Sequence, residues 1–168
     1  MKNEEIYGID KEYAHKKAVD LIPNEFFWDC IDEFAPFGSD EGDLALSEWR
    51  DWRRENLDKP AFECLIWTIE SVGEIDIQKY TASLAKKDVF LDMLNNDEID
   101  EDQYIWTLDV SIIATGFGQL VDEGVIDANS KPYIQIALAR QKLWGEYCLE
   151  DKEYINRMIV LEKALGKA

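Results

Sequence analysis

Residues 101–123 read EDQYIWTLDVSIIATGFGQLVDE and contain the most apolar window of the chain, residues 104–121. Large apolar side chains recur in it at alternating spacings of four and three: Trp106, Val110, Ile113, Phe117 and Leu120. Ile105, Leu108 and Ile112 fill the adjoining face, and Gly124 follows where a helix commonly ends in a left-handed residue. The pattern predicts a long helix over about 101–123, apolar enough to be the centre of the fold.

Asp109 lies inside this apolar window. A charge at the centre of a bilayer costs about 2.5–3.5 kcal/mol on insertion scales, so the window favours a buried helix of a soluble protein over a membrane span. Gly116 and Gly118 fall within the helical pattern, and we expect them to permit close helix packing rather than to cradle a phosphate.

Apolar residues at helical spacing continue on both sides of this segment. Before it we predict helices over about 11–22, 25–34, 43–56, 61–72, 76–87 and 88–95. After it we predict helical structure that begins behind Ser130 and again behind Asp151, with two alternatives open: a break at Gly145–Asp151 or one continuous rod. Asn24, Asp43 and Asp76 are the expected N-caps, Asp40–Gly42 an exposed loop, and Gly73 a helix stop. Trp49 and Trp52 should face the core, and Cys64 with Trp67 should form a second covered side of their helix. Asp100 and Gln103 resemble a capping box for the central helix.

No segment shows a convincing strand pattern, a repeat or a low-complexity linker. We therefore predict an all-α, single-domain irregular helical bundle over residues 1–168, with seven or eight helices and about the first ten residues flexible. With 46% apolar residues the chain has ample material for one core.

The net charge of −18 is unevenly distributed: residues 61–130 hold 15 acids and 3 bases, residues 131–168 only 5 and 7. Such a field repels nucleic acid and anionic membranes and attracts basic partners. A surface charged only for solubility remains the alternative. The segment from Trp49 to Arg54 mixes aromatic and basic residues as single-strand binders do, but Glu48, Asp51 and Glu55 are expected to neutralise its arginines.

Three cysteines without a CxxC pair, Cys30, Cys64 and Cys148, indicate reduced and mostly buried thiols. The amino terminus lacks the apolar region of a signal peptide, so we expect a cytoplasmic protein. His15 is the only histidine and has no motif near it, which indicates a surface residue rather than a catalytic one.

Two acidic segments could supply oxygen ligands for Ca²⁺ or Mg²⁺: Asp40–Asp43 with Asp29, Asp32 and Glu33 upstream, and the run Asp97–Asp102. Neither matches an EF-hand, since Ile99 falls where the loop needs an oxygen and the glycine is missing. No nucleotide-binding or hydrolase motif occurs, and 36 acids make any carboxylate pair uninformative. We predict no enzyme, no cofactor and no metal.

Residues 25–46, EFFWDCIDEFAPFGSDEGDLAL, followed by WRDWR, are similar to the signature of the YfeS-like bacterial proteins, a little-characterised cytoplasmic group. The resemblance covers some 30 residues. It brings no established reaction, and it implies that one set of residues belongs to a family feature, structural or binding: Phe27, Trp28, Pro36, Phe37, Gly38, Asp40 and Trp49. In size and charge the chain also resembles immunity proteins of bacterial toxin–antitoxin and contact-dependent inhibition systems.

The preferred interpretation is a non-enzymatic immunity protein that neutralises a basic toxin, most concretely a nuclease domain, by direct binding. The expected partner-binding residues are the exposed carboxylates of both acidic segments: Asp40, Glu41, Asp97, Glu98, Asp100, Glu101 and Asp102. The alternative is a YfeS-like housekeeping protein with a small-ligand or metal pocket near Phe26–Asp43, with or without an enzymatic activity of its own.

Overall fold

The computed structural model describes residues 8–95 and 101–168, and seven α-helices make up most of these two ranges. They are α1 Lys16–Leu21, α2 Asp40–Glu55, α3 Ala61–Gly73, α4 Lys87–Leu94, α5 Glu101–Glu123, α6 Lys131–Trp144 and α7 Lys152–Lys167. Short 3-10 turns cover Glu25–Trp28, Ile77–Lys79 and Ala82–Ala85, and one π-helical turn covers Gly145–Leu149. The described ranges contain no strand, which confirms the all-α prediction.

Helix α5 is the centre of the bundle, as its apolar pattern predicts. Every side chain from Leu108 to Val121 is buried, and α2, α3 and α6 pack around it. Residues 102–123 are long and apolar enough to cross a membrane, but 83% of the 18-residue window that meets this criterion is buried inside the protein. The apolar surface of α5 is thus covered by other helices of the same chain.

Contacts along α5 set the direction of its neighbours. Helix α2 runs the same way, since Trp49 lies near Gly118 and Arg53 reaches Glu123. Helices α3 and α6 run the opposite way, because the end of α3 lies against Leu108 and the start of α6 against Gly116. The end of α3 and the beginning of α5 therefore share one end of the molecule.

The two glycines inside α5 allow the close packing that their position predicts. A Cβ on Gly116 would lie 2.2 Å from Cδ1 of Ile134 on α6, and one on Gly118 would lie 3.1 Å from Cδ1 of Trp49 on α2. Gly124 follows α5 with φ +74, so the predicted helix end is confirmed.

The first two predicted helices are wrong in extent. Helix α1 begins only at Lys16, because His15 is the cap: its Nδ1 accepts from the Lys17 N–H, and its own N–H donates to the Val121 carbonyl. Beyond Trp28 the chain does not continue as a helix to residue 34. Asp29 and Asp32 accept hydrogen bonds from nearby backbone N–H groups instead, which stabilises turns in place of a helix. Asn24 makes no side-chain cap bond.

The expected loop at Asp40–Gly42 is also wrong, because these residues are the first turn of α2. Ser39, not Asp43, is the N-cap, and its Oγ accepts from the Gly42 N–H at 3.0 Å. Gly42 is buried so closely that a Cβ would lie 2.0 Å from the Pro36 carbonyl oxygen. This close approach fixes the start of α2 one turn earlier than Asp43.

Helix α3 ends differently from the prediction. Gly73 is its last helical residue and packs against Leu108, while Glu74 takes the left-handed conformation with φ 51. Asp76 caps only a 3-10 turn, and no continuous helix follows to residue 87, because the chain there turns inward to bury Tyr80. Trp67, expected to be covered, is 45% exposed, and Cys30 is exposed as well.

Candidate functional site

The corner built by residues 26–54 places its aromatic side chains in the core or against it. Phe27 is fully buried and makes edge-on contacts with the rings of Trp28, Phe37 and Phe117, at centroid distances of 5.0, 5.4 and 5.9 Å. Trp49 is also buried, and its indole N–H donates to Asp122. These aromatic residues therefore lie in the packed interior or at its edge.

The arginines of α2 fasten it to the end of α5. Arg50 binds Asp122 through Nε and Nη2, and Arg53 Nε lies 2.7 Å from Glu123. Arg54 pairs within its own helix, with Asp51. The expectation that carboxylates of α2 neutralise all three arginines is thus wrong for Arg50 and Arg53. Both side chains reach the end of α5, where carboxylates of that helix pair with their charges.

Two spaces lie beside this corner. One is a gap of about 10 Å³ between Pro36, Trp106 and Ile113, which is room for about one water molecule. The other is an open polar cleft of about 220 Å³ that Asp32 and Arg157 line.

Asp32 and Arg157 define the chemistry of the cleft. Nη1 of Arg157 lies 2.7 Å from Oδ2 of Asp32, and the guanidinium covers the ring of Phe26 at 5.2 Å. Burial works against the Asp32 charge, but hydrogen bonds from Phe34 N–H and Arg157 outweigh it and lower the pKa of Asp32. The cleft therefore holds an ion pair, while the buried Nε of Arg157 has no hydrogen-bond partner among the described residues.

Metal ligands do not converge in the described part of the chain. Within residues 8–95 and 101–168 no group of three or more His, Cys, Asp or Glu side chains could hold an ion. Asp40 and Asp43 belong to the first turn of α2, where carboxylates stabilise the helix N-terminus.

The predicted partner-binding residues fall into two separate places. Asp40 is exposed and Glu41 half-buried at the start of α2, and Asp102 is exposed at the start of α5. The turn before α2 lines the same small gap as residues 106–113 of α5, so the start of α2 lies alongside the first half of α5. Asp97, Glu98 and Asp100 lie outside the described residues, as does the predicted capping box. Glu101 begins α5.

One polar cluster in the core was not predicted. Asp109 accepts from Arg140 Nε at 2.8 Å and Nη2 at 2.7 Å, from the Tyr80 hydroxyl at 2.7 Å and from Gln141 at 3.0 Å. Tyr154 in turn donates to Gln141. All of these side chains are buried and bind one another, so the cluster joins α5, α6 and α7 rather than presenting a free group to a substrate. The signal in the sequence was Asp109 itself, a charge among apolar residues.

A second unpredicted feature is the outer face of α3. Glu63, Trp67, Glu70 and Glu74 follow one another at spacings of four, three and four, and all four side chains are exposed. All six tryptophans of the chain lie in the described part, and Trp67 is the only one of them that is exposed. The sequence signal was present in this spacing, but it was assigned to the core because Trp67 is large and apolar.

Comparisons of this chain with protein-family models, with curated proteins and with solved structures find no match.

Proposed function

We propose that this protein is a cytoplasmic, non-enzymatic immunity protein that neutralises a basic toxin domain, most concretely a nuclease, by direct binding. The supporting observation is how the charges are arranged. Arg50, Arg53, Arg140 and Arg157 are all engaged with carboxylates of the same chain, and their side chains are at most 18% exposed. The negative charge that these ion pairs leave over therefore faces solvent and can attract binding partners.

The mechanism follows from the chemistry of the expected partner. A nuclease domain presents lysine and arginine side chains where it holds the phosphates of its substrate. An acidic protein attracts that surface over distances comparable to the Debye length and raises the association rate. Close contact then excludes the nucleic acid from the same basic surface, and desolvated aromatic contacts slow dissociation.

The test uses the gene immediately upstream of this one. If it encodes a large secreted protein with a variable carboxy-terminal domain, that domain is expressed in bacterial cells with and without this protein. We expect the domain alone to stop growth, co-expression to restore growth, and the two purified proteins to form a stable complex. A metabolic enzyme at that position, or a toxic domain that this protein neither binds nor counteracts, would refute the proposal.

A second candidate function is favoured by the cleft of about 220 Å³ beside residues 26–43, which Asp32 and Arg157 line. It would serve a small polar ligand or a metal in a YfeS-like housekeeping protein. Calorimetric titration with Ca²⁺, Mg²⁺ and Mn²⁺ tests the metal form. A stoichiometric response that Asp40→Asn or Asp32→Asn abolishes supports this candidate, and no response in wild type counts against it.

A further inference from the structure

Helix α3 has one buried and one exposed side. Leu65 and Ile69 are buried on the side that meets α5, and Thr68 Oγ1 lies 3.4 Å from Thr115 Oγ1 of α5. The opposite side carries the four exposed residues Glu63, Trp67, Glu70 and Glu74, which we call the α3 outer face. Glu63, Trp67 and Glu70 follow the helical period along α3, so their side chains form one continuous row, and Glu74 follows directly after the helix.

Trp67 lies at the centre of this row with 45% of its surface exposed. Tryptophan has the highest propensity, with tyrosine and arginine, to contribute strongly to protein–protein binding. The other five tryptophans are buried or half-buried, and two of them donate to backbone carbonyls, Trp28 to that of Ile22 and Trp144 to that of Asp102. The fold therefore covers its other tryptophans, and a core that is too small for them does not explain why Trp67 is exposed.

The charge around Trp67 has one sign. From Ala61 to Gln78 the chain contains four acids and no lysine or arginine. The Glu70 carboxylate is held in place, since its Oε2 accepts from the Ile77 N–H at 3.2 Å. The nearest bases along the chain are Lys59, which is exposed just before α3, and Lys79, which is exposed in the 3-10 turn after it. The row is thus an aromatic side chain between carboxylates.

We propose that the α3 outer face is the docking surface for an arginine-rich segment of the protein partner, with Trp67 as its anchor. The inference rests on the proposed function, because it names the surface and the chemistry of that basic partner. Charge complementarity selects this occupant over a second copy of the chain, because two copies of this face would bring carboxylates against carboxylates.

Arginine fits this arrangement better than lysine. A planar guanidinium stacks on an indole and donates in a fork to carboxylates at the same time. Side chains three and four positions apart on a helix lie about 5–6 Å from each other, so a guanidinium above Trp67 reaches Glu63 or Glu70. Lysine offers only a point charge to the same groups.

The surface also continues toward one of the predicted partner-binding residues. The Tyr104 hydroxyl of α5 donates to the Gly73 carbonyl at 2.6 Å, which places Glu74 beside the first turns of α5. Asp102 is exposed on that first turn. The α3 outer face and the beginning of α5 thus belong to the same acidic end of the molecule.

The experiment records the indole N–H signals of the six tryptophans by NMR while an oligo-arginine peptide is added at low salt. Trp67→Phe assigns the Trp67 signal. We expect that signal to shift most, and the arginine peptide to bind roughly two- to fivefold more tightly than an oligo-lysine peptide of equal length. Trp67→Ala should remove this preference.

Charge variants test whether peptide binding depends on the α3 outer face or only on the overall negative charge of the chain. Glu63→Gln combined with Glu70→Gln should weaken binding of the arginine peptide by about tenfold. The matched control, Glu12→Gln combined with Glu25→Gln, removes two exposed carboxylates far from α3 along the chain and should weaken it much less. Both double variants change exposed side chains, and unfolding curves verify that each is folded.

The outcomes test the α3 outer face and the proposed function separately. If the peptide binds but Trp67 does not shift, and both double variants weaken binding equally, the α3 outer face is refuted while an acidic binding protein stands. If neither peptide binds wild type even at low salt, the proposed attraction to basic partners is itself contradicted. A Trp67 shift with loss of binding only in the α3 variant supports the inference.

Discussion

Arg140 and Asp109 form an ion pair in the core, with Nη2 2.7 Å from Oδ1 and side chains that are 1% and 0% exposed. Burial alone would lower the pKa of Arg140, but the Asp109 charge and its hydrogen bonds outweigh burial and raise that pKa. The pair stays ionised because each partner, together with Tyr80 and Gln141, satisfies the other.

Asp109→Asn should lower the free energy of unfolding by about 3–5 kcal/mol, since it leaves the Arg140 charge buried without its counter-charge. The paired replacement Asp109→Leu with Arg140→Met should cost clearly less than the sum of the two single changes, because no charge remains in the core. Urea unfolding at neutral pH measures both. As a control, Arg54→Ala breaks an exposed pair and should cost at most about 1 kcal/mol. A loss below that value for Asp109→Asn would contradict this role.

Gly116→Ala should destabilise the bundle by about 1–3 kcal/mol, because the added Cβ would overlap the Ile134 side chain at 2.2 Å. In an Ile134→Ala background the same change should cost nothing, since the space is then free and alanine favours the helix. A double-mutant cycle on urea midpoints measures the coupling. Equal costs in the two backgrounds would show that α5 and α6 are not in close contact here.

The start of α2 can be tested at its two rival caps. Ser39→Ala should cost about 1 kcal/mol of unfolding free energy, because Ser39 Oγ accepts the Gly42 N–H. Asp43→Ala should cost less, because Asp43 lies exposed within the first turn and only interacts with the helix dipole. Thermal unfolding of the two variants decides between them, and the reverse order would restore Asp43 as the cap.

Alkaline pH should destabilise the fold through two buried groups, the Cys64 thiol and the Tyr80 hydroxyl. Burial raises the pKa of Cys64 from 9.0 to about 12, and burial with the Asp109 charge raises that of Tyr80 well above 10.0. Between these values the folded protein holds protons that the unfolded chain has released. This contribution is therefore complete below about pH 9 and is lost as the pH rises, by about 1.4 kcal/mol per pH unit and proton.

Cys64→Ala isolates the thiol part of this effect. Its unfolding free energy should fall less steeply than that of wild type between about pH 9 and 11, whatever its offset at neutral pH. Cys30→Ala is the matched control, because Cys30 is exposed, and it should keep the wild-type slope. Urea unfolding at a series of pH values measures the slopes, and parallel curves for wild type and Cys64→Ala would contradict the expectation.

Local patterns in the sequence predicted the helix ends that are marked by a capping residue at the end itself. The apolar period of α5 and Gly124 behind it predicted the central helix, and Asp151 predicted the start of α7, whose Glu153 N–H it binds. Where two capping residues compete, as Ser39 and Asp43 do, the choice depends on the contact of Gly42 with Pro36, which no local pattern contains.

The candidate surfaces were harder to predict, because they depend on which side of a helix meets the core. Arg50 and Arg53 had acidic neighbours in their own helix, yet they pair with residues about 70 positions away. The apolar pair Cys64 and Trp67 predicts a second covered side of α3, whereas the spacing of Glu63 and Glu70 around Trp67 marks an exposed face. Asp109 and Arg140 are 31 positions apart, so the core pair required the packing of α5 on α6.

The most direct test of the proposed function is the dissociation constant for the carboxy-terminal domain of the protein encoded immediately upstream, measured at about 50 and 300 mM salt. An acidic protein that recognises a basic surface should bind at least tenfold more weakly at the higher concentration, mainly through slower association. Binding that is equally tight at both concentrations would contradict it.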